Sequence, residues 1–254
     1  MTDDVPIRDA ATVVLLRDGA AGLESWLLTR VKQMAFAAGM TVFPGGRVDD
    51  ADATLPTSGG DFGALAARLR CDEPTARALV GAAVRETFEE TGVLLTVPVA
   101  DLSGARADVE LGRVSFGDLL RANALAVDVG AVRPWSRWVT PAGEVRRYDT
   151  RFFVAALPEA AEAQDVTAES SEAAWMPVAA AVEQAQRGER KMLPPTIATL
   201  GSLLSFGTVA DVLVASEARD LDAVRPEIRL GEDGSVAVAL PDGTVLPLPP
   251  GMFQ

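Results

Sequence analysis

The stretch "RETFEETG", from Arg85 to Gly92, brings three glutamates and one arginine together within eight residues. On a helix, Glu86, Glu89 and Glu90 have the spacing i, i+3 and i+4, so their side chains share one face. Carboxylates this close repel one another, and the negative end of the helix dipole adds to that cost. Oxygen ligands in this arrangement suit Mg²⁺ or Mn²⁺, whereas a solvated charged face is the alternative interpretation of the stretch alone.

The flanking residues predict the helix that carries this stretch and a tight turn before it. Asp72 is a suitable N-cap, Pro74 suits the first helical turn, and Gly92 stands where a left-handed C-terminal residue is expected. Further upstream, "TVFPGG" predicts a short strand that runs into a turn. The glycines of that turn, Gly45 and Gly46, let the backbone approach a phosphate closely.

Taken together, these pieces resemble the Nudix box, G-x5-E-x7-R-E-U-x-E-E-x-G-U, in which U is apolar. Gly46 matches the first glycine and "RETFEETGV" matches the second half, except that Thr87 occupies an apolar position. The family pattern places the arginine 14 positions after the glycine, whereas 85 − 46 gives 39 here, so about 25 residues are inserted. The first box glutamate has no assigned counterpart, because Asp52 has its nominal spacing and Glu73 lies beyond the insertion.

An interrupted box is typical of one branch of this family. The segments "WLLTRVKQMAFAAGMTVFPGGRVDDAD" and "AAVRETFEETGVLL" resemble the peroxisomal type of coenzyme A (CoA) diphosphatase. The resemblance continues in "WSRWVTPAGEVRRYDTRFFVAAL" and "ERKMLPPTIATL", so it touches most of the chain. It implies hydrolysis of CoA or acyl-CoA to 3′,5′-ADP and a phosphopantetheine. A Nudix pyrophosphatase for ADP-ribose, NADH or a dinucleotide is the second hypothesis, and a non-catalytic nucleotide-binding module is the third.

The resemblance also implies roles for individual residues. Arg85 is expected to orient a box glutamate, and Mg²⁺ or Mn²⁺ is expected to bind the carbonyl of Gly46 and the carboxylates of Glu86, Glu89 and Glu90. The general base of such enzymes often lies outside the box. Its candidates here are Glu169 and Glu172, followed by Glu144, each of which is otherwise a solvated loop carboxylate.

Substrate binding requires local cations, because the net charge of −13 repels an anionic nucleotide. We expect the phosphates to contact Arg30, Gly45, Gly46, Arg47 and Arg147, and Lys32, Arg146 and Arg151 fall on neighbouring segments. Of these, Arg47 directly follows the glycines. The alternative for "RRYDTR" is an edge strand with solvated charges.

Composition excludes several other classes of protein. The chain has no histidine and one cysteine, which removes Ser-His-Asp catalysis, internal disulfides and zinc sites with several thiolates. Its acidity argues against nucleic-acid and anionic-membrane partners. The acidic amino terminus does not resemble a secretory signal, so a cytoplasmic protein is expected, with a homodimer left open.

Strands and helices alternate without a regular βαβ rhythm, which favours an α+β fold with a mixed sheet between helices. The resemblance implies that this is the Nudix fold. One domain is predicted over residues 1–254, with an insertion at 47–73 that contains a short helix at "FGALAARLR". The segment 195–254 is predicted to decorate it with one or two helices, broken near Gly207, and a terminal β-hairpin.

Overall fold

The computed structural model describes residues 5–31, 38–159, 161–164, 170–230, 236–240 and 243–247. Its helices are α1 (Phe62–Leu69), α2 (Glu73–Thr91), α3 (Arg106–Glu110), α4 (Phe116–Ala122), α5 (Val178–Gln186), α6 (Pro194–Leu203) and α7 (Val209–Ser216). Two short 3₁₀ helices span Asp50–Thr54 and Ser103–Ala105. No helix in these ranges is long and apolar enough to cross a membrane.

The strands form three sheets. They are β1 (Ile7–Gly19), β2 (Gly22–Arg30), β3 (Thr41–Val42), β4 (Gly45–Arg47), β5 (Thr57–Ser58), β6 (Thr96–Val97), β7 (Ala126–Asp128), β8 (Arg133–Val139), β9 (Arg147–Ala156), β10 (Ser170–Pro177), β11 (Ala223–Val224), β12 (Glu227–Leu230), β13 (Val236–Ala239) and β14 (Val245–Pro247). The main sheet has the order β10-β2-β1-β9-β8-β11, with β3 on β2 and β4 on β1. The smaller sheets are β5-β7-β6 and β12-β13-β14.

Strand β1 explains why helices cover both faces of the main sheet. Its alternate residues Ala11, Val13 and Leu15 are fully buried in a hydrophobic cluster with α1 and α2. The intervening residues Val14 and Leu16 are buried in a second cluster with α5, α6 and α7. Both faces of β1 are apolar, so both need a helical layer. The predicted α+β fold, a mixed sheet between helices, is confirmed.

Strand β9 departs from the solvated edge strand considered for "RRYDTR". It lies between β1, to which it is parallel, and β8, to which it is antiparallel. Arg151 is 3% exposed and its Nη1 donates to Asp9 Oδ1 at 2.5 Å. Asp149 pairs with Arg137 at 2.6 Å on the neighbouring strand. The edge-strand alternative is therefore wrong, because these charges are paired inside the sheet layer.

The residues between the two halves of the box are folded. After the 3₁₀ helix and β5, helix α1 confirms the short helix predicted at "FGALAARLR". Asp61 Oδ1 accepts from the Ala64 amide at 3.0 Å, and Arg70 ends the helix in a left-handed conformation, with φ 55°. Phe62 and Leu69 pack into the same hydrophobic cluster as α2. This insertion is thus part of the core rather than a loose loop.

The C-terminal segment fastens this insertion to the body of the protein. Arg68 Nη2 donates to the Ser216 carbonyl at 2.8 Å, at the end of α7. Arg70 forms ion pairs with Asp220, at 3.2 Å, and with Asp222. Leu221, between these two aspartates, is 4% exposed and joins the cluster around α2. Helix α7 and the insertion therefore meet although their contacting residues are 148 positions apart in sequence.

The C-terminal predictions are confirmed for the helices and incomplete for the hairpin. Helices α6 and α7 are separate and flank Gly207, as the sequence predicts. The terminal strands form a three-stranded antiparallel sheet rather than a two-stranded hairpin, because β12 also pairs with β13. Val238 in β13 is 3% exposed. Leu240, which follows β13, packs against the hydrophobic cluster of α5, α6 and α7.

Gly81 lets the 3₁₀ helix Asp50–Thr54 lie directly against α2. A Cβ at Gly81 would stand 2.3 Å from the Asp52 carbonyl oxygen, a distance that real contacts do not reach. We expect Gly81→Ala to lower the free energy of unfolding by about 1–3 kcal/mol, because the backbone must shift. The free energy is measured by urea denaturation.

Gly201→Ala is the matched control, since Gly201 lies in α6 and an added Cβ meets nothing within 4 Å. It should raise the free energy of unfolding by about 0.5–1 kcal/mol, because alanine is the better helix former. Equal effects of the two substitutions would contradict the packing argument.

Candidate functional site

Helix α2 places the box stretch at its C-terminal end, with both predicted caps in position. Asp72 Oδ1 accepts from the Thr75 amide at 2.9 Å at the start of the helix. At the other end, Gly92 has φ 76° and its amide donates to the Phe88 carbonyl at 2.8 Å. The glutamates therefore occupy the last turns, where the backbone is capped and rigid.

Thr87 fits the apolar position of the box because its hydroxyl is satisfied within the helix. Its Oγ1 donates to the Ala83 carbonyl at 2.7 Å, and the residue is fully buried. Thr91 Oγ1 likewise donates a hydrogen bond to the Thr87 carbonyl at 2.6 Å. A threonine methyl can then face the core without the cost of an unpaired hydroxyl.

Gly45 and Gly46, which were predicted to form a turn, belong instead to strand β4, where they pair with β1 and bring backbone against the box glutamates. The Gly45 amide donates to Glu90 Oε2 at 2.9 Å. A Cβ at Gly46 would lie 2.4 Å from Glu86 Oε1, and one at Gly45 would lie 2.5 Å from the Ala11 carbonyl oxygen. Side chains at these positions would therefore push the glutamates and β1 away, which explains the glycine pair.

Arg85 joins the elements of the site through its guanidinium group. Its Nε and Nη2 donate to the two carboxylate oxygens of Asp52 at 2.8 and 2.9 Å, a bidentate pair. Nη1 donates to Glu86 at 2.8 Å and to Glu89 at 3.3 Å. Nη2 also reaches the Arg47 carbonyl at 3.0 Å. The predicted role of Arg85, orienting a box glutamate, agrees with these contacts.

Asp52 occupies the place at which the sequence left the first box glutamate unassigned. It is 2% exposed, and its Oδ2 also accepts from the Asp49 amide at 2.8 Å. Glu73, the other candidate, is an exposed residue at the start of α2. Because 85 − 52 gives 33 positions where the family pattern has 8, the additional residues lie between Asp52 and Arg85.

The charges of this cluster shift one another's proton affinities. Burial raises the pKa of Glu86, and it raises the pKa of Glu89 to about 7, even though the Arg85 charge opposes both shifts. Burial lowers the pKa of Arg85, but the hydrogen bonds and charges of Asp52, Glu86 and Glu89 outweigh it and raise that pKa overall. The pKa values of Glu86 and Glu89 therefore stay above their ordinary range in spite of the neighbouring guanidinium.

The carboxylates and glycine backbone offer the donor set that a hard divalent cation requires. Glu86, Glu89, Glu90 and the Gly46 carbonyl are all oxygen donors, and the missing Cβ of Gly46 leaves room beside Glu86. Within the described ranges, no three acidic side chains already converge into a metal-binding group. Arg85 Nη1 lies between Glu86 and Glu89 instead. The donor set is compatible with a hard divalent cation, provided that the carboxylates turn toward the ion.

The arginines predicted to bind substrate occupy different surroundings. Arg47 is exposed, follows the glycines directly, and pairs with Asp49 at 2.8 Å. The Arg47 carbonyl accepts a hydrogen bond from Arg85, so the backbone of Arg47 is part of the site. Arg147 begins β9, and its Nε donates to the Thr140 carbonyl at 3.4 Å. Arg30 ends β2, where its backbone exchanges hydrogen bonds with residues 39 and 40. Contacts with substrate remain predictions for all three.

The predicted general bases are only partly described. Glu169 and the possible substrate contact Lys32 lie outside the described residues. Glu172 is exposed on β10, opposite Thr29, beside a pocket of about 550 Å³ that Arg190 and Lys191 also line. Glu144 is half-buried, and burial raises its pKa. Within the described residues, no hydrogen bond or ion pair joins Glu172 or Glu144 to the Arg85 cluster, which consists of Arg85, Asp52, Glu86 and Glu89.

Two residues outside the box hold the C-terminal end of α2. Arg106, in α3, is 6% exposed, and its Nη1 donates to the Glu89 carbonyl at 2.8 Å. The Gln164 amide donates to the Thr91 carbonyl at 2.9 Å. Neither contact can be predicted from local sequence, because Arg106 and Gln164 belong to segments of the chain that are separate from α2.

A model of the NUDT19 Nudix domain family matches residues 66–203, more than half of the chain. The chain belongs to the Nudix hydrolase family. This Nudix hydrolase is 28% identical over 279 residues to a Gallus gallus protein named acyl-coenzyme A diphosphatase NUDT19, with 85% of this chain and 72% of the relative covered. A Xenopus laevis protein of the same name is 25% identical over 284 residues, which cover 93% and 74% of the two chains.

A solved structure shows the same fold. The crystal structure of a NUDIX hydrolase from Alicyclobacillus acidocaldarius is 32% identical, with a TM-score of 0.69, and the alignment covers 83% of this chain and 97% of that one. The predicted resemblance to the Nudix family, and to its branch with an interrupted box, is confirmed. The protein is an enzyme of this family, whose members generally use divalent cations.

The ion pair between Asp52 and Arg85 should contribute to stability as well as to the site. We expect Asp52→Asn to lower the free energy of unfolding by about 2 kcal/mol, because it leaves a buried guanidinium with a weaker acceptor. Asp50→Asn is the control, since Asp50 is exposed on the same 3₁₀ helix. Urea denaturation measures both, and equal stabilities would rule out the structural role of the pair.

The raised pKa of Glu89 predicts a pH-dependent stability of the cation-free protein. The folded state retains a proton up to about pH 7, whereas the unfolded chain releases it near the ordinary value of 4.5. The native state thus binds more protons in this window, so the free energy of unfolding falls as pH rises from 4.5 to 7.

Glu89→Gln removes this titration, so its stability should fall less steeply with pH than that of the parent protein. Denaturation in a chelator at several pH values measures the difference. Glu73→Gln, at the exposed start of α2, should keep the parent slope. A Glu89→Gln profile parallel to that of the parent would show that Glu89 is ionised throughout this range.

Proposed function

We propose that this protein is a divalent-cation-dependent CoA or acyl-CoA diphosphatase. It hydrolyses the diphosphate bond and releases 3′,5′-ADP and phosphopantetheine or its acylated form. The observation that carries the proposal is that the half-buried carboxylates of Glu86, Glu89 and Glu90 lie between Arg85 and the glycine backbone of β4. The names of the Gallus gallus and Xenopus laevis relatives support CoA compounds as the substrate class.

The proposed cation ligands are the Gly46 carbonyl and the carboxylates of Glu86, Glu89 and Glu90. Bound Mg²⁺ or Mn²⁺ supplies polarisation of the phosphate oxygens and a water of lowered pKa. Arg85 holds Glu86 and Glu89 on one side of the helix, and the Gly45 amide holds Glu90. These contacts keep the carboxylates next to one another, so that only their end groups must turn toward the ion.

The proton of the attacking water needs an acceptor. We assign this role to Glu169 or Glu172. Glu172 lies on β10, and Gln164, five positions before Glu169 in sequence, donates its amide to the Thr91 carbonyl at the end of α2. A matched pair of Gln variants distinguishes the two, since only the true base should abolish turnover with cation binding preserved. Arg30, Arg47 and Arg147 are the proposed phosphate contacts, and they offset locally the net charge of −13.

A pyrophosphatase for ADP-ribose, NADH or a dinucleotide is the second candidate, since the box chemistry is the same. The two differ in whether the 3′-phosphate and the pantetheine arm affect turnover. A non-catalytic binding module is the least favoured, because Glu86, Glu89 and Glu90 are all retained and the chain belongs to a family of hydrolases.

Product analysis tests the proposal directly. The purified protein is incubated with Mg²⁺ or Mn²⁺ and with CoA, acetyl-CoA, ADP-ribose or NADH in separate reactions, and the products are separated by chromatography and identified by mass spectrometry. We expect 3′,5′-ADP from CoA and acetyl-CoA. Glu90→Gln should lower turnover at least about 100-fold and keep the fold, because it removes a proposed cation ligand.

Glu73→Gln is the control on the same helix and should retain parental activity. Chelation should abolish turnover, and added Mg²⁺ or Mn²⁺ should restore it. Cleavage of ADP-ribose or NADH alone would discard CoA as the substrate. Parental activity in Glu90→Gln would contradict the ligand assignment.

A further inference from the structure

Helix α2 ends with an unfavourable distribution of charge for a helix C-terminus. Its last turn contains no basic residue, while Glu86, Glu89 and Glu90 all lie near the negative end of the dipole. The carbonyls of this turn also need partners, since the last four have none within the helix. Gly92 and Gln164 supply backbone amides to the Phe88 and Thr91 carbonyls. The Glu89 carbonyl is different, because it accepts from a charged side chain.

That side chain is Arg106, which reaches the helix from α3. Its Nη1 donates to the Glu89 carbonyl at 2.8 Å and to Glu110 Oε2 at 2.6 Å. The side chain is 8% exposed, so the bonds form away from competing water. Val109, three residues later, is 5% exposed in the hydrophobic cluster that includes Phe88. The burial of Val109 holds α3 against α2. This packing places the Arg106 side chain beside the C-terminal end of α2.

We propose that Arg106 is a positioning residue for the cation-binding carboxylates. Its bond to the Glu89 carbonyl holds the backbone from which the Glu89 and Glu90 side chains project. Arg85 and the Gly45 amide hold the carboxylate ends of these side chains, so each glutamate is fixed at both ends. The inference rests on the proposed function, because it takes Glu89 and Glu90 as cation ligands.

The guanidinium charge is matched by Glu110, so the effect of Arg106 on the carboxylates is mainly geometric. Loss of the Arg106 bond frees the last turn to move relative to β4. Partners that orient metal ligands typically change metal affinity or activity by about 10- to 100-fold when they are removed. Arg106 is not one of the proposed phosphate contacts, so substrate affinity should change little.

The test compares Arg106→Gln, Arg106→Lys and Glu110→Gln with the parent protein. Circular dichroism and thermal denaturation identify the folded variants, and electron paramagnetic resonance of free Mn²⁺ measures cation affinity without substrate. Steady-state kinetics with CoA then give kcat and KM. We expect Arg106→Gln to weaken Mn²⁺ binding and lower kcat, each about 10-fold or more, with KM changed by less than about twofold.

Arg106→Lys keeps the charge and one donor, so it should recover part of the Mn²⁺ affinity. Glu110→Gln leaves the bond to the Glu89 carbonyl in place, so it should bind Mn²⁺ within about twofold of the parent. A folded Arg106→Gln or Arg106→Lys with parental Mn²⁺ affinity and kcat would overturn the inference, as would an equal loss in Glu110→Gln. If Arg106→Gln does not fold, the Mn²⁺ affinities of Arg106→Lys and Glu110→Gln are compared. Weaker binding by Arg106→Lys supports the inference, and equal binding by the two variants overturns it.

Absence of Mn²⁺ binding in the parent protein would instead refute the proposed cation site itself. Parental Mn²⁺ binding without CoA hydrolysis would refute only the substrate assignment. The effect of Arg106 on cation affinity would still be measurable in that case, so the two proposals fail separately.

Discussion

The site depends on one guanidinium group that is shared by both halves of a divided motif. Arg85 pairs with Asp52 from the first half and with Glu86 and Glu89 from the second. A planar fork with five N–H donors can serve several acceptors at once, which the point charge of a lysine cannot do in the same geometry. Without this group, buried carboxylates from two segments would repel one another. The insertion separates the two segments in sequence, and the ion pairs of Arg85 hold them together in the folded protein.

Much of the fold and part of the site could be predicted because their signals are local. The caps of α2 at Asp72 and Gly92 follow from side-chain and backbone geometry within one turn. The spacing of Glu86, Glu89 and Glu90 places them on one face of any helix. The continuous apolar run of β1 buries side chains on both faces of the sheet, which then requires two helical layers. These features depend little on the rest of the chain.

The remaining features depend on contacts between distant segments. Asp52 and Glu73 were indistinguishable in sequence, and only the packing of a 3₁₀ helix against Gly81 selects Asp52. The interior position of β9 was hidden because Arg151 and its acidic partners resemble a solvated face. Arg106 belongs to a short helix with no distinctive pattern. The local sequence around each of these residues is compatible with an exposed position as well as with a buried one.

The contacts between the insertion and the C-terminal segment also bear on the order in which the chain can fold. Arg70 pairs with Asp222, 152 positions later, and Leu221 completes the core around α2. Closing so long a loop costs entropy before the contact repays it. During synthesis, the two halves of the box leave the ribosome long before the residues that secure the insertion between them. The insertion therefore acquires its full set of contacts only after the residues around Asp222 have been synthesised.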